Sequence, residues 1–236
     1  SNDNNIYVLD YSKTNWKHWK EYLNFQTIDA KLSFKPECHF PFNPYLLAKP
    51  MEILHHSAKV PETDIIYCDA DLFWVKNPEP LIGDFNKLCS SWNTGLFYFD
   101  KTSKKVHQAI EMWKAYIYYA VNDKEFYNKL FDYYPYQYKF LHEEIVFRYI
   151  QKELIDLGLS QDIGDYENCS VDINKSIKPY KNTTNVKALH IRTENKNLSC
   201  YDVKEIYDRI KTVDVLNIMT EGKEPTKHLP KVFSLI

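Results

Sequence analysis

No long apolar run occurs in this chain. Nowhere in its 236 residues does hydrophobic sequence approach the roughly 20 residues a membrane-crossing helix needs. The succession of charged, apolar and small residues that marks a signal peptide is also missing. These absences exclude a helical membrane span in this chain. They lead to the expectation of a cytoplasmic protein, or of a domain excised from a longer one, with Ser1-Asn2 as an expression scar. No CxxC pair is present, and five scattered cysteines, an odd number, argue against a disulfide framework or a zinc site. An excess of one charge is lacking as well. With 30 basic and 32 acidic side chains the net charge is −2, which gives no reason to propose a nucleic-acid partner. Glycosylation sequons begin at Asn168, Asn174, Asn182 and Asn197, but an Asn- and Lys-rich chain generates such triplets by chance. There is no internal repeat and no second domain to be read.

Aromatic residues, by contrast, are abundant: 19 Tyr, 13 Phe and 5 Trp. They suit sugar or base stacking, although an aromatic-rich core accounts for most of them. Length and a 44% hydrophobic share indicate one globular domain with a sizeable core. The chain is organised around residues 63–78, TDIIYCDADLFWVKNP. Ile65, Ile66, Tyr67 and Cys68 read as a buried strand, with Cys68 a small buried residue. Asp69 and Asp71 follow, one residue apart. In an extended chain they point the same way and repel each other unless a cation sits between them. The sharp reading is a site for a hard divalent cation, Mn²⁺ or Mg²⁺. The plain reading is a strand that ends in a polar turn.

Around that stretch the chain alternates strands and helices, which predicts an α/β fold. Residues 5–10 read as the first strand, and Asp10 and Tyr11 at its end as nucleotide contacts or an ordinary connection. Residues 15–25 read as a helix. A second helix is expected over 45–58, with Leu46, Leu47, Ile53 and Leu54 buried and Pro50 near its start. Its Lys49 reads first as a solvated lysine and alternatively as a phosphate partner. His55 and His56 face different ways on that helix and make a poor metal pair. Residues 88–100 read as two short strands around a turn at Asn93-Thr94-Gly95. Thr102 or Ser103 caps a long helix to Val121, with Val106, Ile110, Trp113 and Ile117 on one face. Residues 126–140 read as irregular. His142-Glu143-Glu144 opens a further helix, where the acids suit the helix dipole or, for Glu144, a cleft. Residues 162–172 read as loop and short strand. A late strand covers 186–192 and carries His190, by itself a core histidine. Residues 202–211 read as an amphipathic helix.

In this order the pieces resemble a GT-A glycosyltransferase. DIIYCDADLFWVKNP is similar to the DxD strand of those enzymes, and SSWNTGLFYFD to their N-[AT]-G strand. His190 and Lys196 match the first and last functional positions of the glycogenin-like HxxGxxK pattern, with Thr193 in place of its Gly. His142-Glu143-Glu144 is similar to the His-Asp-Glu segment of the blood-group transferase-like family. The resemblance covers about residues 5–200. It implies one Rossmann-like GT-A domain over the whole chain, with a mostly parallel mixed central sheet flanked by helices. A nucleotide-sugar part would span about 5–100, an acceptor and catalytic part about 100–200, and a C-terminal helix and tail 201–236.

The resemblance further implies metal-dependent transfer of a sugar, with retention, from a nucleotide sugar to an acceptor hydroxyl on a glycan or glycoprotein. UDP is the expected nucleotide. Asp69, Asp71 and His190 would be the metal ligands, and Asp10, Tyr11, Lys49, Ala70 and Lys196 would contact the donor. Asn93, Thr94, Gly95 and His142 would meet the substrate, and Glu144 or Glu143 would face the anomeric carbon or position the acceptor. Two other classes compete. A haloacid-dehalogenase-type phosphatase also places DxD after a hydrophobic strand, but nearer the N-terminus and with Thr or Val where Phe73 stands. An inactive carbohydrate-binding domain of the same fold would not need Asp69, Asp71 and His190.

Overall fold

The computed structural model describes residues 5–11, 25–31, 47–69, 72–74, 83–90, 94–133, 141–163, 167–172 and 188–192. They form a mixed α/β structure with four helices and small mixed sheets. None of these helices is long and apolar enough to cross a membrane. The chain divides into two compact units, one of residues 1–67 and 84–162, the other of 68–83 and 163–236.

In the first unit, β1 (Tyr7–Asp10) and β2 (Gln26–Asp29) pair in parallel. Strand β2 was not anticipated, because QTID carries only one large apolar residue. The helix expected over 15–25 lies outside the described residues up to its last position. Helix α1 (Lys49–Ser57) carries Pro50 in its first turn, where no intrahelical N–H is needed. Leu47 and Ile53 are buried as expected, and Leu54 is partly covered. The Lys101 side chain closes the far end of this helix by donating to the carbonyls of Ser57 and Val60.

Strand β3 (Asp64–Cys68) is present, but it is not a buried strand. Among the described residues it stands at the edge of a four-stranded sheet, in the order 64–68, 96–100, 88–90, 160–162. Its residues alternate exposed and half-buried, and Cys68 is exposed. An edge strand with one covered face cannot bury every side chain, however apolar its sequence. β5 (Leu88–Ser90) and β6 (Leu96–Asp100) run antiparallel around the Thr94-Gly95 turn, as the sequence predicts.

Helix α2 (Lys104–Asn122) starts at Ser103, whose hydroxyl accepts the Val106 N–H. Val106, Ile110, Trp113 and Ile117 line its buried face. Residues 124–133 form a third helix, α3 (Lys124–Tyr133), which from residue 126 onward stands where irregular chain was expected. Asp123 caps it by accepting the Phe126 N–H at 2.7 Å. Phe126 and Leu130 are buried, so tertiary packing outweighs the weak helix preference of the aromatic residues. Helix α4 (Glu143–Asp156) ends at Gly158, at φ 68°. There Gly158 N–H bonds Ile155 O and Leu159 N–H bonds Leu154 O, a Schellman closure that needs a left-handed residue. The chain then enters β7 (Ser160–Asp162), parallel to β5.

The core of this unit is aromatic. The rings of Phe97, Trp113 and Phe147 meet with centroids 4.8–5.5 Å apart. All three are fully buried, as are Tyr98 and Phe99. Such rings add about 0.5–1.5 kcal/mol per pair to their burial.

The second unit holds one described sheet, in the order β4 (Leu72–Trp74), β9 (Ala188–Arg192), β8 (Glu167–Asp172). β4 runs antiparallel to β9, and β8 parallel to it with a register shift between Asn168 and Val171. The described sheets thus combine parallel and antiparallel pairs in separate small groups. The helix expected over 202–211 lies outside the described residues.

Candidate functional site

In the first unit three stretches far apart in sequence converge on one carboxylate. Glu143 opens α4, Lys49 opens α1, and Thr94 sits in the turn before β6. Lys49 Nζ lies 2.9 Å from Glu143 Oε1 and donates to the Thr94 carbonyl at 3.0 Å. The Thr94 hydroxyl donates to the same Oε1 at 2.9 Å. Both charged side chains are almost wholly covered, at 5% and 3% exposure. Lys49 is therefore not a solvated lysine. Its position at the helix start looked like a surface position because nothing local shows what faces it. Trp113 Nε1–H donates to the Glu143 carbonyl at 3.2 Å, which ties the beginning of α4 to the core of α2.

Burial by itself pushes the Glu143 carboxyl up. The charge of Lys49, aided by the neighbouring His142 imidazole, outweighs it and brings the group down to about 2. Glu143 is thus a fixed anion at neutral pH. Its other oxygen, Oε2, is buried and meets no hydrogen-bond donor among the described residues. His142 Nδ1 stands 3.7 Å from it, beyond direct hydrogen-bond reach. Glu144 is buried too and pairs with Arg148 one turn along the helix. The acids of this helix start therefore face protein charges rather than solvent. Gly95 is buried in the turn beside Thr94, and Asn93 lies outside the described residues.

Asp10 and Tyr11 occupy the C-terminal end of β1, Asp10 buried and Tyr11 partly exposed. Tyr11 meets the His56 ring edge-on at 6.3 Å. Its phenol is pushed up to about 12, by burial first and by the Glu52 charge second. His56 Nε2 lies 2.7 Å from Glu52 Oε2, and His56 Nδ1 lies 3.3 Å from Lys59 Nζ. An ammonium can only donate, so Nδ1 accepts and Nε2 carries the proton given to Glu52. Sequence reasoning set His55 and His56 aside and passed over Glu52 and Arg148. The i,i+4 spacing of Glu52 with His56 and of Glu144 with Arg148 was the available signal.

In the second unit Asp69 is half-buried directly after β3. Asp71 and Ala70 lie outside the described residues, as does Lys196. The backbone of His190 is paired with Leu72, the residue after Asp71. The late strand and β4, which begins one residue after Asp71 in sequence, are therefore neighbours in one sheet, a proximity that 118 positions of sequence separation (190 − 72) conceal. Among the described residues no group of three or more His, Cys, Asp and Glu side chains is arranged to hold a metal. The chain matches no protein-family model, no curated protein and no solved structure.

Proposed function

We propose that this chain is a metal-dependent glycosyltransferase of GT-A type, which moves a sugar from a nucleotide sugar, UDP-linked by expectation, to a hydroxyl of a glycan or glycoprotein acceptor with retention. The observation that carries the reading is the β4–β9 pairing, which sets the strand bearing His190 beside the strand that begins one residue after Asp71 in sequence. Two carboxylates and an imidazole are a donor set that fits Mn²⁺ or Mg²⁺. Asp69, Asp71 and His190 would hold the ion, which when bound would neutralise charge developing on the departing nucleoside diphosphate. Asp10 and Tyr11 stand at the carboxyl end of a parallel strand pair, where open α/β sheets bind nucleotides. Ala70 and Lys196 complete the donor contacts of this reading, and Asn93, Thr94, Gly95 and His142 its substrate contacts.

The two glutamates take different parts. Glu143, held ionised by Lys49 and Thr94, cannot donate a proton at neutral pH and serves as a fixed negative charge. Glu144 is the carboxylate assigned to the anomeric carbon or the acceptor.

UDP binding measured by calorimetry with and without Mn²⁺ tests the reading. Wild type binds UDP only with the metal, and Asp69→Ala and Asp71→Ala lose that binding while keeping their melting temperature. Metal-dependent UDP binding that survives in both variants removes the metal site, and with it the proposal.

A further inference from the structure

We propose that Lys49 is a positioning residue, which clamps the Thr94-Gly95 turn to the start of α4 through Glu143, and that it is not a ligand of the donor diphosphate. An ammonium has three donors. Here one reaches the Thr94 carbonyl at 3.0 Å and one the Glu143 carboxylate at 2.9 Å. The Thr94 hydroxyl closes the triangle by bonding the same carboxylate oxygen. Each leg joins elements distant in sequence, and Trp113 holds the backbone of the third corner. A phosphate ligand must offer uncompensated positive charge to an incoming anion. The Lys49 charge is already matched by an ionised carboxylate at contact distance, in a place where both side chains are shielded from water. The turn it holds is the segment assigned above to the substrate. The part played in substrate binding thus rests on the transferase reading, whereas the clamp rests on geometry alone.

Three proteins test the proposal: wild type, Lys49→Met and the double variant Lys49→Met/Glu143→Gln. Lys49→Met leaves a buried carboxylate without its cation, and its melting temperature falls by about 10 °C at pH 7. The deficit relative to wild type shrinks as pH is lowered towards 5, because the stranded carboxylate takes up a proton. In that variant the groups facing Glu143 are His142 and the Thr94 hydroxyl. The double variant recovers most of the loss, since a neutral amide keeps the Thr94 bond and needs no cation. Affinity for UDP with Mn²⁺, weakened in Lys49→Met, returns in the double variant although the lysine is still missing.

An unchanged melting temperature in Lys49→Met, or a double variant no more stable than the single one, overturns the clamp. A double variant that is stable again but still loses UDP makes Lys49 a phosphate ligand instead. If Lys49→Met does not fold, folding of the double variant upholds the clamp, and failure of both overturns it. Absence of UDP binding in wild type defeats the transferase reading, and the melting temperatures then decide the clamp by themselves.

Discussion

Helix α1 carries two buried acid–base pairings within one turn of each other, and they behave differently. Lys49 reaches across the unit to Glu143, whereas Glu52 meets His56 on its own helix. Both contacts are short, at 2.9 and 2.7 Å, and both are shielded from water. Yet the first is an ion pair and the second a hydrogen bond between a carboxylate and a neutral ring. A lysine keeps its proton beside a carboxylate because its unperturbed affinity for protons is high. Burial pushes the His56 ring down, against the partial support of Glu52, and Lys59 and His55 push it the same way. The acid's partner therefore decides whether burial yields a fixed charge or a titrating one.

The largest effect is expected from Glu143→Leu, which removes one half of the buried ion pair and leaves Lys49 alone. The loss is about 3–5 kcal/mol in urea denaturation. A loss below about 1 kcal/mol would show that the pair is solvated and erase the contrast with Glu52–His56.

A smaller effect separates the two pairings by pH. Glu143 lies at about 2 in the folded chain against an ordinary 4.5, so its contribution is full above 4.5 and is lost as pH falls towards 2. The folded His56 also lies below its ordinary 6.5. Its neutral form belongs to the folded state, so its contribution is full above 6.5 and is lost as pH falls below that value. Urea midpoints of His56→Gln should therefore decline less than those of wild type between pH 7 and 5. Glu143→Gln should instead flatten the profile below pH 4.5. The same pH profile in both variants would mean that one group governs both windows.

The smallest effect is that of Lys59→Met. Removing that cation lifts the His56 midpoint, followed by the ring-proton shift in NMR, with little change in melting temperature. A lower midpoint would show that Lys59 holds the ring by its hydrogen bond rather than opposing its charge.

What could be read ahead of the structure follows the range of the interactions involved. The helix over 104–122 was legible because its cap and its apolar face repeat within a few residues of each other. The β5–β6 pair was legible because its strands are joined by one short turn. The opening of α4 at His142-Glu143-Glu144 was legible, but what the two acids face was not. Cys68 and Ile66 were misjudged because their exposure depends on whether a strand is central or at an edge. Helix α3 was misjudged because the aromatic residues that weaken it locally are the ones that pack it.

By itself the sequence determined an α/β chain with the starts of α2 and α4, its turn before β6, and the placement of Asp69 directly after a strand. Local hydrogen bonding and the 2.0 and 3.6 residue periods suffice for those features. Only the tertiary structure decided that Lys49 is buried against Glu143, that Thr94 joins them, and that His190 pairs beside Asp71's neighbour Leu72. Those contacts bring together segments that carry no mark of each other, because burial and charge compensation are properties of the folded surroundings rather than of any residue's neighbours along the chain.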